Sequence, residues 1–257
     1  MIGNRWVRLA PTTRGIRAEC VHPVADWSPI ANYLQIDTNL NQVLASFPDD
    51  PVLRDAVASY KGLRLLRQEP WECLASFILS SSKQIVQIEQ IVAALCERWG
   101  TEMHQPALLS PAYAFPSLDR IAACSENELR SCKMGFRAPF LKATARMIAS
   151  GEVNLGELER LPVEQARAAL MELPGVGRKI ADCVLLFAYG FSTVFPIDVW
   201  VAKSLREDYF SGQPVNLSRL TEFAAEHFGP YAGYAQQYLF HRKRVGPRVG
   251  GSGKTNS

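Results

Sequence analysis

The chain has 257 residues, 47% of them hydrophobic and 21% charged, with 17 Gly and 16 Pro. That is ordinary globular composition, with enough length to bury a sizeable core without staples, and it excludes collagen-like, coiled-coil and disordered classes. Net charge is +3, but the last segment from His241 carries five basic and no acidic side chains, against 23 basic and 25 acidic before it; a polyanionic partner is permitted by this and not required.

No run of about eighteen apolar residues is present, so no membrane span is expected. The start, MIGNRWVRLAPTTRG, lacks the continuous apolar stretch of a secretory signal. Six scattered cysteines (Cys20, Cys73, Cys96, Cys124, Cys132, Cys183) read as reduced cytosolic thiols, since a core of this size needs no disulfides.

In chain order, Arg5–Ala10 and Ile16–Cys20 flank the turn-rich PTTRG and predict a hairpin, which must lie on something else to be stable. From about residue 39 the pattern is helical almost throughout. Ile85, Ile88, Ile91, Val92, Leu95 and Trp99 share one helix face and Gly100 stops that helix. Ser125 and Glu128 have capping-box spacing ahead of a run ending at Gly135, and Cys124 and Cys132 read as two residues on one helical segment. FLKATARMIASG and VEQARAALMEL follow, then the short connection PGVG and the helix RKIADCVLLFAYG. Helices are predicted at Val199–Tyr209, Ser218–Phe228 and Tyr231–Arg242, and GPRVGGSGKTNS reads as a flexible tail. The class is mainly α with a small β element.

Two signals fail. GSGKT resembles a phosphate-binding loop, but the first glycine of that pattern falls on Arg248, and no strand precedes it. The histidines (His22, His104, His227, His241) have no metal-ligand spacing, and the cysteines form no compact array for an iron–sulfur cluster. Neither metal nor cofactor is expected.

The informative stretch is LMELPGVGRKIADCVLLFAYGFSTVFPIDVW. Gly175 and Gly177 flank Val176 in a tight connection between helices, and the free amides at the start of the second helix suit a phosphate. Alone, PGVG is as readily an ordinary αα-turn. Lys179 lies in the first turn of that helix, against the positive end of its dipole, a place that favours the free amine as a nucleophile. Asp198, after Phe-Pro-Ile and before an apolar run, is placed as an N-cap or as a carboxylate aimed into a cleft.

Through these residues the chain resembles the helix-hairpin-helix DNA glycosylase superfamily, and within it the 8-oxoguanine DNA glycosylases. NYLQIDTNLNQVLASF, GLRLLRQEPWECLASFILSSS, MGFRAPFLKATARMI, LPGVGRKIADCVLLFA, VFPIDVWVAKSLREDYF and GPYAGYAQQYLF carry the resemblance, in order, over roughly 32–240. Lys179 and Asp198 stand nineteen positions apart, as the family's catalytic pair does.

The resemblance implies a bifunctional DNA glycosylase and apurinic-site lyase acting, as a monomer, on double-stranded DNA from which the damaged base is flipped out. Lys179 would attack the sugar C1′ and form a Schiff base, with Asp198 stabilising the positive charge that develops. The base would lie between Cys183 and Phe240, with Phe187 in the same pocket and Gln236 bonding the pairing edge. Gly175, Val176, Gly177, Ser82 and Lys83 would touch DNA, Phe136 would wedge into the stack where the family usually has Tyr, and Arg137 would meet the orphaned cytosine. The implied organisation is a remnant of an N-terminal β domain at 1–30, a helical glycosylase domain at 31–242 with the helix-hairpin-helix at 163–190, and a basic tail at 243–257.

Departures from the family are Ser82-Lys83-Gln84 in place of an Asn-rich run, Gln87 in place of a second arginine, and Trp200 in place of a histidine. Only about thirty residues precede NYLQID, so a truncated sheet is expected, without the glycine whose carbonyl senses oxidised guanine. The alternatives are a glycosylase for another damaged base and a DNA-binding module with weak catalysis.

Overall fold

The computed structural model describes residues 1–245 except Arg14, Ser82, Ala107 and Leu108. The chain opens with an antiparallel hairpin of β1 (Val7–Thr12) and β2 (Gly15–Cys20), in register from Val7 opposite Cys20 to Thr12 opposite Gly15. The first strand runs two residues further than the sequence suggests, because Pro11 and Thr12 still pair and the Thr12 hydroxyl donates to the Gly15 carbonyl at 3.1 Å. Leu9 and Ile16 on the hairpin stay exposed.

The helices follow as α1 (Ser28–Leu34), α2 (Leu40–Ala45), α3 (Pro51–Ser59), α4 (Pro70–Ser80), α5 (Ile85–Trp99), α6 (Leu118–Ala123), α7 (Glu126–Leu129), α8 (Ala138–Ala149), α9 (Val163–Met171), α10 (Arg178–Val184), α11 (Val199–Tyr209), α12 (Leu217–His227) and α13 (Ala232–Val245). Two short strands, β3 (Glu102–Met103) and β4 (Ala112–Tyr113), pair antiparallel between α5 and α6 and have no clear sequence signal. No helix is long and apolar enough to cross a membrane, among the described residues.

Two cores result. The larger joins α4, α5, α6, α8, α9 and α10 through Leu74, Ile78, Leu95, Ile121, Leu141, Leu170 and Val184. The second joins α3 from the front of the chain to α11, α12 and α13 through Leu53, Ala56, Leu205, Leu220, Phe228 and Leu239. A smaller cluster of Val43, Leu65, Leu186 and Tyr234 lies between. Arg242 fastens the second core at its rim, reaching Asp55 on α3 and Asp208 on α11 at 3.1 Å each. At α13, Gly233 permits close approach: a Cβ there would collide with Leu186 and stand 3.0 Å from the Val194 carbonyl. The second core is thereby set against the chain that leaves α10.

Several local features depart from the sequence expectations. Gly100 does end α5, where a Cβ would strike the Ala114 and Cys96 carbonyls. Ile85, expected on the core face, is exposed, because the first turn of α5 projects beyond the bundle. Cys124 ends α6 and Cys132 lies in a π-helical turn after α7 (Arg130–Met134), so they do not share a helix; Lys133 in that turn adopts the left-handed conformation, φ 63° and ψ 24°. The last helix continues to Val245, so the start of the expected tail is helical: Lys243 pairs with Glu207, and the Arg244 guanidinium lies 5.7 Å from the centre of the Phe240 ring. The GSGKT stretch lies outside the described residues.

Candidate active site

The connection between α9 and α10 is built by Gly175, with φ +79°; a Cβ there would also stand 2.9 Å from Phe140 Cβ on α8. Two independent constraints therefore demand glycine. Thr144 on α8 donates to the Pro174 carbonyl at 3.0 Å, and Val176 is buried beneath the turn. Gly177 is extended (φ −92°, ψ 176°) and faces open space. The amides of Gly177, Arg178 and Lys179 have no hydrogen-bond partner among the described residues. These are the free donors that a helix start leaves for an anion. The pair of helices is locked by a buried bridge of 2.6 Å from Arg167 Nε on α9 to Asp182 on α10.

Lys179, half-buried, reaches from the first turn of α10 toward α4. Its Nζ lies 3.4 Å from Ser80 Oγ and 5.1 Å from the centre of the Phe77 ring. Phe77 stacks on Phe187, ring centres 5.7 Å apart and 15° from parallel. Cys183, one turn beyond Lys179, is 5% exposed. Burial pushes its thiol up to about 12, with Lys179 pulling down and Asp182 and Asp198 pushing up. Cys183 therefore lies within electrostatic reach of both Lys179 and Asp198. It is a neutral thiol at pH 7, fit for a wall and unfit as the nucleophile.

Asp198 is the N-cap of α11: its Oδ1 accepts from the Val201 amide at 2.8 Å. The preceding segment is fixed by Phe195, stacked on Phe228 at 4.9 Å. Capping immobilises the carboxylate and leaves Oδ2 without a hydrogen bond among the described residues. Val199 and Trp200, next along, are both exposed.

From α13, Gln236 is 4% exposed, and its Oε1 accepts from the Gln237 side chain at 2.7 Å. Phe240 is half-buried and packs on the second core. Lys179 and Cys183 thus come from α10 and Phe187 from the turn after it, whereas Asp198 comes from the start of α11 and Gln236 and Phe240 from α13. A cavity of about 770 Å³ elsewhere, between α2 and α3, is lined by none of them.

Phe136, expected to wedge into the stack, is 55% exposed. Arg137 is 2% exposed, its guanidinium 4.3 Å from the centre of the Phe136 ring, and its Nε and Nη2 have no hydrogen-bond partner among the described residues. Burial lowers its pKa. Contact with an orphaned base requires that side chain to leave its place under Phe136. Gln87 is engaged at the start of α5, accepting from the Gln84 amide at 3.1 Å, and Lys83 is half-buried in the connection before it. Ser82 lies outside the described residues. Sequence reasoning missed Phe77 and Ser80. Both sit on α4, about a hundred residues from Lys179, and only their apolar and small-residue context marked them.

The profile described as HhH-GPD superfamily base excision DNA repair protein matches residues 75–228, and that of the 8-oxoguanine DNA glycosylase N-terminal domain matches 9–74. A "Probable N-glycosylase/DNA lyase" of Methanothermobacter thermautotrophicus is 32% identical over 221 residues, covering 78% of this chain and 70% of its own. The N-glycosylase/DNA lyase OGG1 of Arabidopsis thaliana is 32% identical over 243 residues, covering 86% and 64%. Among solved structures, the 8-oxoguanine glycosylase/lyase of Clostridium acetobutylicum, in complex with double-stranded DNA containing cytosine opposite 8-oxoG, superposes with a TM-score of 0.87 at 30% identity, covering 93% of this chain and 81% of that one. The 3-methyladenine DNA glycosylase of Archaeoglobus fulgidus gives 0.79 at 27% identity, covering 93% and 82%. The chain belongs to the HhH-GPD superfamily of base excision DNA repair proteins, and its first part to the N-terminal domain of the 8-oxoguanine DNA glycosylases.

Proposed function

We propose that this protein is a DNA N-glycosylase and apurinic-site lyase that removes oxidised guanine from duplex DNA in the nucleoid or nucleus, with Lys179 as nucleophile and Asp198 as its electrostatic partner. The observation that supports the assignment of roles is the placement of Lys179 in the first turn of α10, beside the free hairpin amides and one turn before the buried Cys183. The amides of 177–179 hold a backbone phosphate, and the base passes between Cys183 and Phe240, with Gln236 on its pairing edge and Phe187 at the side.

The lysine nitrogen bonds to C1′ as the glycosidic bond breaks; its electron pair leaves with the base, which takes up a proton. Opening of the sugar gives an imine, and loss of a C2′ proton then expels the 3′ phosphate. Asp198 stabilises the cationic sugar and carries protons between steps. Gly175, Val176 and Gly177 with Lys83 and Ser82 hold the duplex, Phe136 fills the stack, and Arg137 swings out to the orphaned base.

The test is borohydride trapping on duplex carrying 8-oxoguanine. Wild type forms a covalent adduct, and Lys179→Gln binds the same duplex without forming one. Trapping that persists in the variant sinks the assignment. A panel of alkylated and oxidised bases decides the lesion, and preference for an alkylated purine would transfer the reading to the chemistry named for the Archaeoglobus neighbour.

A further inference from the structure

A cavity of about 320 Å³ runs along α5 to the π-helical turn 130–134. Its floor is Ile91 and Cys132, and its rim carries Lys83, Arg98 and Lys133. No Asp or Glu lines it. None of the three cations is ion-paired among the described residues. The Arg98 guanidinium is held by the Ser131 hydroxyl, a neutral acceptor that orients it without cancelling its charge.

Lys133 adds a second observation. It is a non-glycine residue in the left-handed region, inside a π-helical turn. L side chains adopt that backbone at a cost, and such strain and such turns gather at functional sites. Glycine would relax the turn, yet the position carries a lysine whose ammonium stands on the rim of the groove.

The surroundings say which polyanion fits. Gly175 of the hairpin touches Phe140, the Phe140 ring lies 6.4 Å from the Phe136 ring, and Lys133 is three residues before Phe136. Phe140 and the exposed Phe136 thus form a continuous path from the hairpin amides to the turn that carries Lys133 and borders the groove. The strand whose sugar meets Lys179 crosses the hairpin. A duplex has one other strand, and it runs on the far side of the wedge. The groove follows α5 from Gln87 to Arg98, roughly 16 Å at about 1.5 Å per residue, which spans several phosphates spaced about 3.4 Å along the axis of one strand.

We infer that the groove bordered by Lys83, Arg98 and Lys133 is a second phosphate-binding surface, which holds the backbone of the strand opposite the lesion. This rests on duplex DNA being the partner, as in the proposed function. It gives that reading a means of gripping both strands independently of the base being repaired.

The experiment measures binding of the full chain to undamaged duplex as a function of salt, so that it does not depend on excision. Arg98→Ala/Lys133→Ala lowers the magnitude of the slope of log K against log[salt] by about 2, at ~0.9 for each phosphate that is no longer neutralised. Arg98→Lys/Lys133→Arg, which keeps both charges, retains the wild-type slope, and so does Lys61→Ala at an exposed lysine elsewhere. Methylphosphonate linkages in one strand of a duplex carrying an uncleavable abasic-site analogue identify the strand: wild type loses slope when the strand opposite the analogue is neutralised there, and the Ala double variant loses no more. An unchanged slope in the Ala double variant overturns the inference. So does an equal loss on the isolated single lesion strand, or a loss in the charge-conserving variant, which would mark a structural effect. If wild type shows no salt-dependent duplex binding at all, the reading of the function fails, and with it the groove.

Discussion

The Nζ of Lys179 lies 5.1 Å from the centre of the Phe77 ring, on a helix brought to it from a hundred residues away. The ring lies against the amine and stacks on Phe187, so it helps to set where the nucleophile rests. A cation–aromatic contact is worth ~0.5–2 kcal/mol. Phe77→Leu is therefore expected to slow single-turnover excision by about 2- to 30-fold, with duplex affinity within about 2-fold of wild type. Weakened affinity with an unchanged rate would show that Phe77 supports binding and not the position of Lys179.

Asp198 combines two duties that substitution separates. It caps α11 through Val201, and its negative charge helps to raise the Cys183 thiol, one turn from Lys179. Asparagine caps a helix as well as aspartate does, whereas alanine does not. Asp198→Asn is expected to keep the melting temperature and to lower single-turnover excision by ~10²-fold or more. Asp198→Ala loses the same activity and, in addition, ~1 kcal/mol of stability. Equal stability loss in both variants, read from urea midpoints, would contradict a capping role.

Gly175 and Gly177 are two residues apart and make opposite predictions. Alanine at 175 is forced into φ +79° and onto Phe140, at an expected cost of about 2–4 kcal/mol in unfolding free energy. Alanine at 177 meets open space with an ordinary φ and is expected to change stability by less than ~0.5 kcal/mol. Urea titration of the two variants checks both; similar costs would mean that the turn is not shaped by contact with α8.

What the sequence discloses follows from the range over which each cause acts. The apolar period and the stop at Gly100 mark α5, and the run after Asp198 marks α11 to the residue, because both signals are local. The Lys179–Asp198 pair is legible because one short stretch carries both residues. Phe77 is not, since nothing in LASFILSSS states which helix will lie across it. Arg137 illustrates the other limit: a charged residue in sequence suggests a surface contact, yet the fold buries it against Phe136, with two donors unmet among the described residues. The left-handed Lys133 is likewise invisible locally, because lysine does not favour that backbone, and tertiary packing of the turn imposes it.

The second core depends on a buried carboxylate. Asp50 caps α3 through the Val52 and Leu53 amides at 2.8 and 3.0 Å, accepts from Tyr209 Oη at 2.6 Å, and lies 3.0 Å from His227 Nε2. It ties α3 to the ends of α11 and α12. Burial alone would raise its pKa, but the hydrogen bonds from Tyr209, His227, Leu53 and Val52 outweigh it and hold the carboxyl below its ordinary value. A carboxylate whose pKa is lower folded than unfolded contributes stability that is complete above the unfolded value near 4 and is lost as pH falls through it toward the folded one. Asp50→Asn keeps the shape and removes that titration. At pH 7 it is expected to cost ~1–3 kcal/mol, the loss of charge-assisted bonds at a buried site. The difference between wild type and variant should then shrink steadily between pH 5 and pH 3, because wild type gives up what the variant never had. Urea midpoints of both proteins at pH 7, 5 and 3 measure this, and a difference that stays constant across the three would show that Asp50 acts through packing and not through its charge.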